Sequence, residues 1–110
     1  MKITTWNVNS VNARIEHLIK FIKKDQSDIY LIQELKCTNE SFPKEELENI
    51  NYKCYVNGQK AWNGVAILSK ESIEISNLKI PNYQDVNSRF IETEISLKNI
   101  KNKIKLINIY

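Results

Sequence analysis

Apolar positions change their spacing repeatedly along the chain, and each change marks a different element. Residues 2–7 contain Ile3, Thr4, Thr5 and Trp6, which are strand formers. Val11, Ile15, Leu18, Ile19 and Ile22 then recur at helical spacing. At about 100° per residue they form one narrow stripe, with Glu16, Lys20, Lys23 and Lys24 on the opposite side. The pattern predicts an amphipathic helix of about four turns. Asn9 or Ser10 can cap its start, and the lysines suit the dipole at its end. Ile29-Tyr30-Leu31-Ile32 is a continuous apolar run, the mark of a strand covered on both faces. Strand, helix and buried strand in succession predict a βαβ unit with parallel strands.

Beyond Gln33-Glu34 the spacing shortens. Pro43 suits a first helical turn, so Lys44 to Ile50 reads as a short helix. Strands are predicted at Tyr52 to Asn57 and Val65 to Ser69, joined by a loop that ends on the turn dipeptide Asn63-Gly64. Ile73-Glu74-Ile75 alternates. So do Ile91, Thr93, Ile95 and Leu97 against Glu92, Glu94 and Ser96, as in strands with one wet face. A last strand runs from Ile104 to Tyr110. The sum is an α/β domain with a mixed sheet, N-terminal βαβ followed by a meander.

Composition narrows the class. The chain has 110 residues, enough for one domain. It is 42% hydrophobic and 26% charged, which excludes a disordered chain, and no apolar run reaches the roughly 20 residues of a membrane span. Two cysteines, Cys37 and Cys54, argue against a disulfide scaffold and for a cytoplasmic setting. They also lack any zinc-ligand spacing. A net charge of +3 permits a polyanionic partner without demanding one. The chain stops on a strand without a turn residue or polar tail, as if cut.

Three polar residues stand at strand ends: Asn7, Glu34 and Tyr110. Ligands of open α/β sheets bind at the carboxyl ends of strands, so these three can converge if the antiparallel strands leave Tyr110 on the same edge. A carboxylate at the rim of a buried strand is costly unless paired or bound to a cation. Glu34 admits a plainer reading as a strand-end residue that turns to solvent or pairs with Lys36, and Asn7 as a turn residue capping the next helix. Of 16 basic residues only Arg14 and Arg89 are arginine, which either marks a bidentate phosphate contact or is chance. Lys98, Lys101, Lys103 and Lys105 read as a solvated hairpin.

Three blocks together resemble the exonuclease III family of DNA-repair nucleases, within the endonuclease–exonuclease–phosphatase superfamily. They are Thr5 to Arg14, Asp28 to Lys36 with its Gln33-Glu34 pair, and Gly58 to Ser69. Arg89-Phe90-Ile91 and the closing Ile107-Asn108-Ile109-Tyr110 add weaker matches in family order. The resemblance implies part of a two-sheet sandwich with helices outside. It implies that Glu34 is a magnesium ligand, with manganese as a substitute ion. Asn7 orders the metal site beside it, and Asn9 stands near the metal and the DNA. Tyr110 lies close to the scissile phosphate. Arg89, Lys60 and Trp62 fall where the family contacts the DNA backbone. Leu35 departs from the family's usual Thr, and Trp62 from its Tyr or His.

The implied activity is magnesium-dependent phosphodiester hydrolysis on double-stranded DNA, at abasic sites and 3′ ends. The family's later motifs supply an Asp-x-Asn pair and a terminal Asp-His pair. This chain has no Asp after Asp85 and no His after His17. Residues 1–110 therefore read as the N-terminal portion of an incomplete domain, inactive alone and wanting a C-terminal half. The alternative is a non-catalytic remnant with weak DNA binding. A relative acting on phosphoinositides or sphingolipids is disfavoured by the Gly58 to Ser69 loop. Lacking most of the second sheet, the chain should have an apolar face uncovered and be poorly folded or aggregating.

Overall fold

The computed structural model describes all 110 residues. Nine elements follow in order: β1 (Ile3–Asn7), α1 (Ile15–Asp25), β2 (Ile29–Gln33), α2 (Lys44–Glu48), β3 (Lys53–Asn57), β4 (Val65–Ser69), β5 (Ile75–Asn77), β6 (Phe90–Ile95) and β7 (Ile104–Ile109). The strands form two sheets. One has the order β1-β2-β4-β3, with β1 and β2 parallel and β4 antiparallel to both neighbours. The other, β5-β6-β7, is antiparallel throughout. The βαβ unit is as the pattern predicts. The single mixed sheet is not: the strands after β4 pair only with one another.

Period-two alternation within the buried strands explains how two cores arise from one sheet. Tyr30 and Ile32 of β2, with Ala66 and Leu68 of β4, face α1 and meet Leu18 and Ile22. Ile29, Leu31, Val65 and Ile67 face the other way and meet Ile91 and Ile95 of β6. The second sheet therefore covers the inner face of β2 and β4, contrary to the expectation of a bare apolar face. Exposed apolar side chains are scattered over α1 and the loops and recur on the edge strands, with Ile3 on β1 and Ile104, Ile107 and Ile109 on β7.

Helix α1 is shorter than predicted, at 11 residues. Val11 is wholly buried but belongs to no helix, because its N–H donates to Leu35 O at 3.1 Å. Ser10 N–H likewise donates to Glu34 O at 2.8 Å, and Asn9 and Ser10 take left-handed φ values of 47° and 81°. The backbone after β1 is thus drawn along the backbone after β2 before the helix can start. Arg14 stands at the N-cap without a side-chain bond, while Ser10 Oγ accepts from Ala13 N–H at 3.4 Å. At the far end Gln26 adopts the left-handed cap and its side-chain amide donates to the Ile22 and Lys23 carbonyls.

Asp25 closes the end of the sandwich away from the strand termini discussed next. Its carboxylate accepts from Lys2 Nζ, Ser27 Oγ and the Tyr30 hydroxyl, the last at 2.8 Å. The Lys2 ammonium, then Ser27 and Tyr30, hold its pKa well below the usual carboxylate range. Strand β5 begins two residues later than predicted. Ile73 N–H donates to the Tyr55 hydroxyl at 3.0 Å rather than to a ladder, and a register irregularity follows between Ile75 and Asn77. Leu97 lies past the end of β6 but packs on the inter-sheet core.

Candidate active site

Strand direction brings five chain segments to one rim. β1 and β2 are parallel and end there on Asn7 and Gln33. β4 starts there, since Val65 pairs with Gln33. In the second sheet Phe90 pairs with Ile109, so the start of β6 and the end of β7 meet at the same height. The convergence of Asn7, Glu34 and Tyr110, conditional in the sequence, is thereby met.

Beyond the strands the ladders continue irregularly. Val8 N–H donates to Gln33 O at 3.0 Å on one side of the segment after β2. On the other side Leu35 N–H donates to Gly64 O at 3.1 Å and Lys36 N–H to Asn63 O at 3.0 Å. This grip holds Glu34 and Lys36 at left-handed φ values of 56° and 54°. Such a conformation costs a non-glycine residue roughly 1–2 kcal/mol and persists where neighbours over-determine it. Gly64 is required beside it. Its φ is 91°, and a Cβ there would stand 2.9 Å from Leu35 Cβ.

Asn7 Nδ2 donates to Glu34 Oε1 at 3.0 Å, and Asn7 Oδ1 accepts from Asn9 N–H at 3.1 Å. The amide is therefore orientated by one bond and orientates the carboxylate with the other. Lys36 Nζ donates to Asn9 Oδ1 at 2.6 Å and lies 3.5 Å from Glu34 Oε2. The Tyr110 hydroxyl, then Asn7, holds the Glu34 carboxyl below its usual range, although only Asn7 bonds it with full hydrogen-bond geometry. Glu34 in turn raises the Tyr110 phenol. The carboxylate is ionised at neutral pH. Its two oxygens are hard donors of the kind magnesium takes together with retained waters, while the Asn7 oxygen beside it is already engaged by Asn9 N–H and the Lys36 ammonium stands near Oε2. No group of three or more His, Cys, Asp or Glu converges anywhere in the structure.

Arg89 lies across Tyr110, its guanidinium 5.7 Å from the ring centroid. Its Nη1 donates to Tyr110 O at 3.1 Å, and its Nε is 3.4 Å from Asp85. Lys60 and Trp62 sit on the exposed loop between β3 and β4, where Trp62 is 71% exposed. Gln59 ties this loop to the segment before β6. Its Oε1 accepts from Ser88 N–H at 2.8 Å and from Asn63 Nδ2 at 3.2 Å, while its Nε2 donates to Asn87 Oδ1 at 3.1 Å. The seven residues that the family resemblance picks out are thus at or near the rim, Lys60 and Trp62 on its outer loop. Sequence reasoning missed Gln59 and the bridging role of Lys36, which it treated only as a plain ion-pair partner of Glu34. The available signal was that both lie inside motif blocks, Lys36 at the end of Asp28 to Lys36 and Gln59 in Gly58 to Ser69.

A rim of this make-up on a two-sheet α/β sandwich defines a class, and comparison with known proteins gives the same one. The model of the Endonuclease/Exonuclease/phosphatase family matches residues 4–106, and the chain belongs to that family. Within it the chain is like exodeoxyribonuclease III of Haemophilus influenzae, 36% identical over 107 residues, which take in 93% of this chain and 40% of the relative. Among solved structures, the 3′-5′ exonuclease of Neisseria meningitidis superposes with a TM-score of 0.88 at 35% identity, over 100% of this chain and 41% of that one. An AP endonuclease from Archaeoglobus fulgidus gives 0.79 at 35% identity, over 87% and 37%. The chain spans about 40% of the length of the first two relatives. No helix is long and apolar enough to cross a membrane.

Proposed function

We propose that the chain carries the cation-holding and phosphate-facing part of a DNA phosphodiesterase of the exodeoxyribonuclease III type. Its substrate is double-stranded DNA, at abasic sites and 3′ ends. The observation that carries this reading is the meeting of Asn7, Glu34 and Tyr110 at one rim although they come from two sheets. Glu34, with the Asn7 amide beside it, would hold a magnesium ion. When bound, such an ion offsets the negative charge that builds on phosphate and leaving oxygens during hydrolysis.

The chain's own residues supply positioning. Asn7 keeps the carboxylate turned one way. Tyr110 presents a phenol, protonated at neutral pH as tyrosine ordinarily is and pushed further up by the neighbouring Glu34, that can donate to a phosphate oxygen. Arg89 and Lys60 offer cations to the backbone of the DNA, and Trp62 offers a flat ring. Asn9 stands beside Asn7, its side chain held by Lys36.

A general base is wanting. His17 is exposed on α1 and bonds to none of the rim residues, and Asp85 is engaged by Arg89. The 110 residues alone should therefore bind duplex DNA and a divalent cation without turning over. Titration with Mn2+, followed by electron paramagnetic resonance, and cleavage of a labelled abasic duplex test this together. Cation binding should be lost in Glu34→Gln. Equal Mn2+ binding by the variant would overturn the site assignment, and robust cleavage by the native chain would overturn the inactivity.

A further inference from the structure

Asn108 is a buried amide in an otherwise apolar place. It lies on β7, is 1% exposed, and pairs with Ile91 of β6, whose side chain belongs to the inter-sheet core. Its Nδ2 crosses to the first sheet, where it donates to Ile32 O at 3.0 Å and Ala66 O at 2.8 Å. Ile32 and Ala66 are register partners in β2 and β4, so the amide is seated on the central ladder of that sheet. Its Oδ1 accepts from Gln33 Nε2 at 2.8 Å, and Gln33 Nε2 also donates to Thr5 Oγ1 on β1 at 2.9 Å. One side chain of the second sheet thus engages β2 and β4 directly and β1 through Gln33. Asn108 is two residues before Tyr110, and Gln33 is one before Glu34.

We infer that Asn108 is the positioning residue that sets Tyr110 against Glu34 through the Gln33 amide. The inference rests on the proposed function, in which those two groups form the working pair. They belong to different sheets, so their separation is only as well defined as the seating of one sheet on the other. Ile29, Leu31, Val65, Ile67, Ile91 and Ile95 hold the sheets together without direction, since burial of apolar surface does not favour one lateral seating. A buried amide with three partners does, because any displacement leaves donors unpaired in a dry place. Period-two alternation adds a sharper demand: a one-residue slip of β7 would turn Asn108 outward and carry Tyr110 to the other face.

Tyrosine ring resonances read this directly. The chain has five tyrosines, which ring-labelled protein would show separately, with Tyr110→Phe assigning the one of interest. Asn108→Leu should move the Tyr110 ring signal and leave those of Tyr30 and Tyr52 in place. Gln33→Met is a milder change at a half-buried position. It should move the Tyr110 signal too, by less, and decides the matter if Asn108→Leu fails to fold. Asp25→Asn loosens the opposite end of the sandwich and serves as the control for mere loss of stability. It should leave the Tyr110 signal unmoved. An unmoved Tyr110 signal in both rim variants, or an equal shift in the control, would overturn the inference. Duplex binding by the native chain is measured alongside. Its failure would refute the proposed function while leaving the ring-signal result intact.

Discussion

Salt dependence of DNA binding gives the most quantitative check on the rim. Each phosphate neutralised by a lysine or arginine contributes about −0.9 to the slope of log affinity against log salt on duplex DNA. Lys60 is exposed and makes no ion pair, so it offers a whole charge. Arg89 is partly spoken for by Asp85 at 3.4 Å. Lys36 is committed to Glu34 and Asn9. Between one and two phosphates are therefore available to the pair of outer cations, which gives a slope of roughly −0.9 to −1.8. Raising salt from about 50 to about 200 mM should weaken binding by roughly three- to twelvefold on the same relation. Lys60→Ala should flatten the slope by about 0.9, and Arg89→Ala by less. Fluorescence of Trp62 reports the titration, since that ring is 71% exposed on the same loop while Trp6 is half-buried against Phe21. A slope unchanged by Lys60→Ala, or an affinity indifferent to salt, would refute the assignment of this loop to the phosphate backbone.

Two further outcomes concern the scaffold. Leu18 is wholly buried between α1 and the first sheet, so Leu18→Ala should cost about 2–5 kcal/mol in denaturant unfolding. A loss within the roughly 0.5 kcal/mol usual for surface positions would mean that α1 is not docked as described. Asp25 contributes through its lowered pKa. That contribution is complete above its unfolded value of about 3.9 and is lost as pH falls through the lower folded value. Asp25→Asn should therefore melt lower than the native chain at pH 7. The gap should close as the pH falls below about 4. Melting curves that stay parallel down the acid limb would contradict the network around Lys2, Ser27 and Tyr30.

Much of the architecture can be read from the sequence because it rests on local or periodic signals. The continuous run of β2 announces a strand buried on both faces, and Tyr30 and Leu31 point to different cores as that requires. The stripe from Ile15 to Ile22 announces α1. Glu34 is conspicuous as a carboxylate directly after a buried strand, and the motif blocks around Asn7, Glu34 and Tyr110 carry the family by themselves.

Other features were out of reach because they depend on which backbone lies alongside. Periodicity continues through Val11, yet the helix waits until Ile15, since Ser10 and Val11 spend their N–H groups on the segment after β2. Alternation around β5 and in β6 defines a wet and a dry face but does not say which sheet the dry face meets. Whether Tyr110 reaches Glu34 was a matter of strand direction in a second sheet, decided by the pairing of Phe90 with Ile109. Asn108 and Gln59 look like ordinary polar residues in the sequence, because a buried or half-buried amide is distinguished by partners far along the chain. The sequence alone determined most of the elements, the family and the candidate site residues, all of which follow from side-chain chemistry and spacing. Tertiary structure alone decided where the helix starts, how the sheets are seated, and hence how the carboxylate and phenol face each other. Those depend on hydrogen bonds between residues up to 76 positions apart.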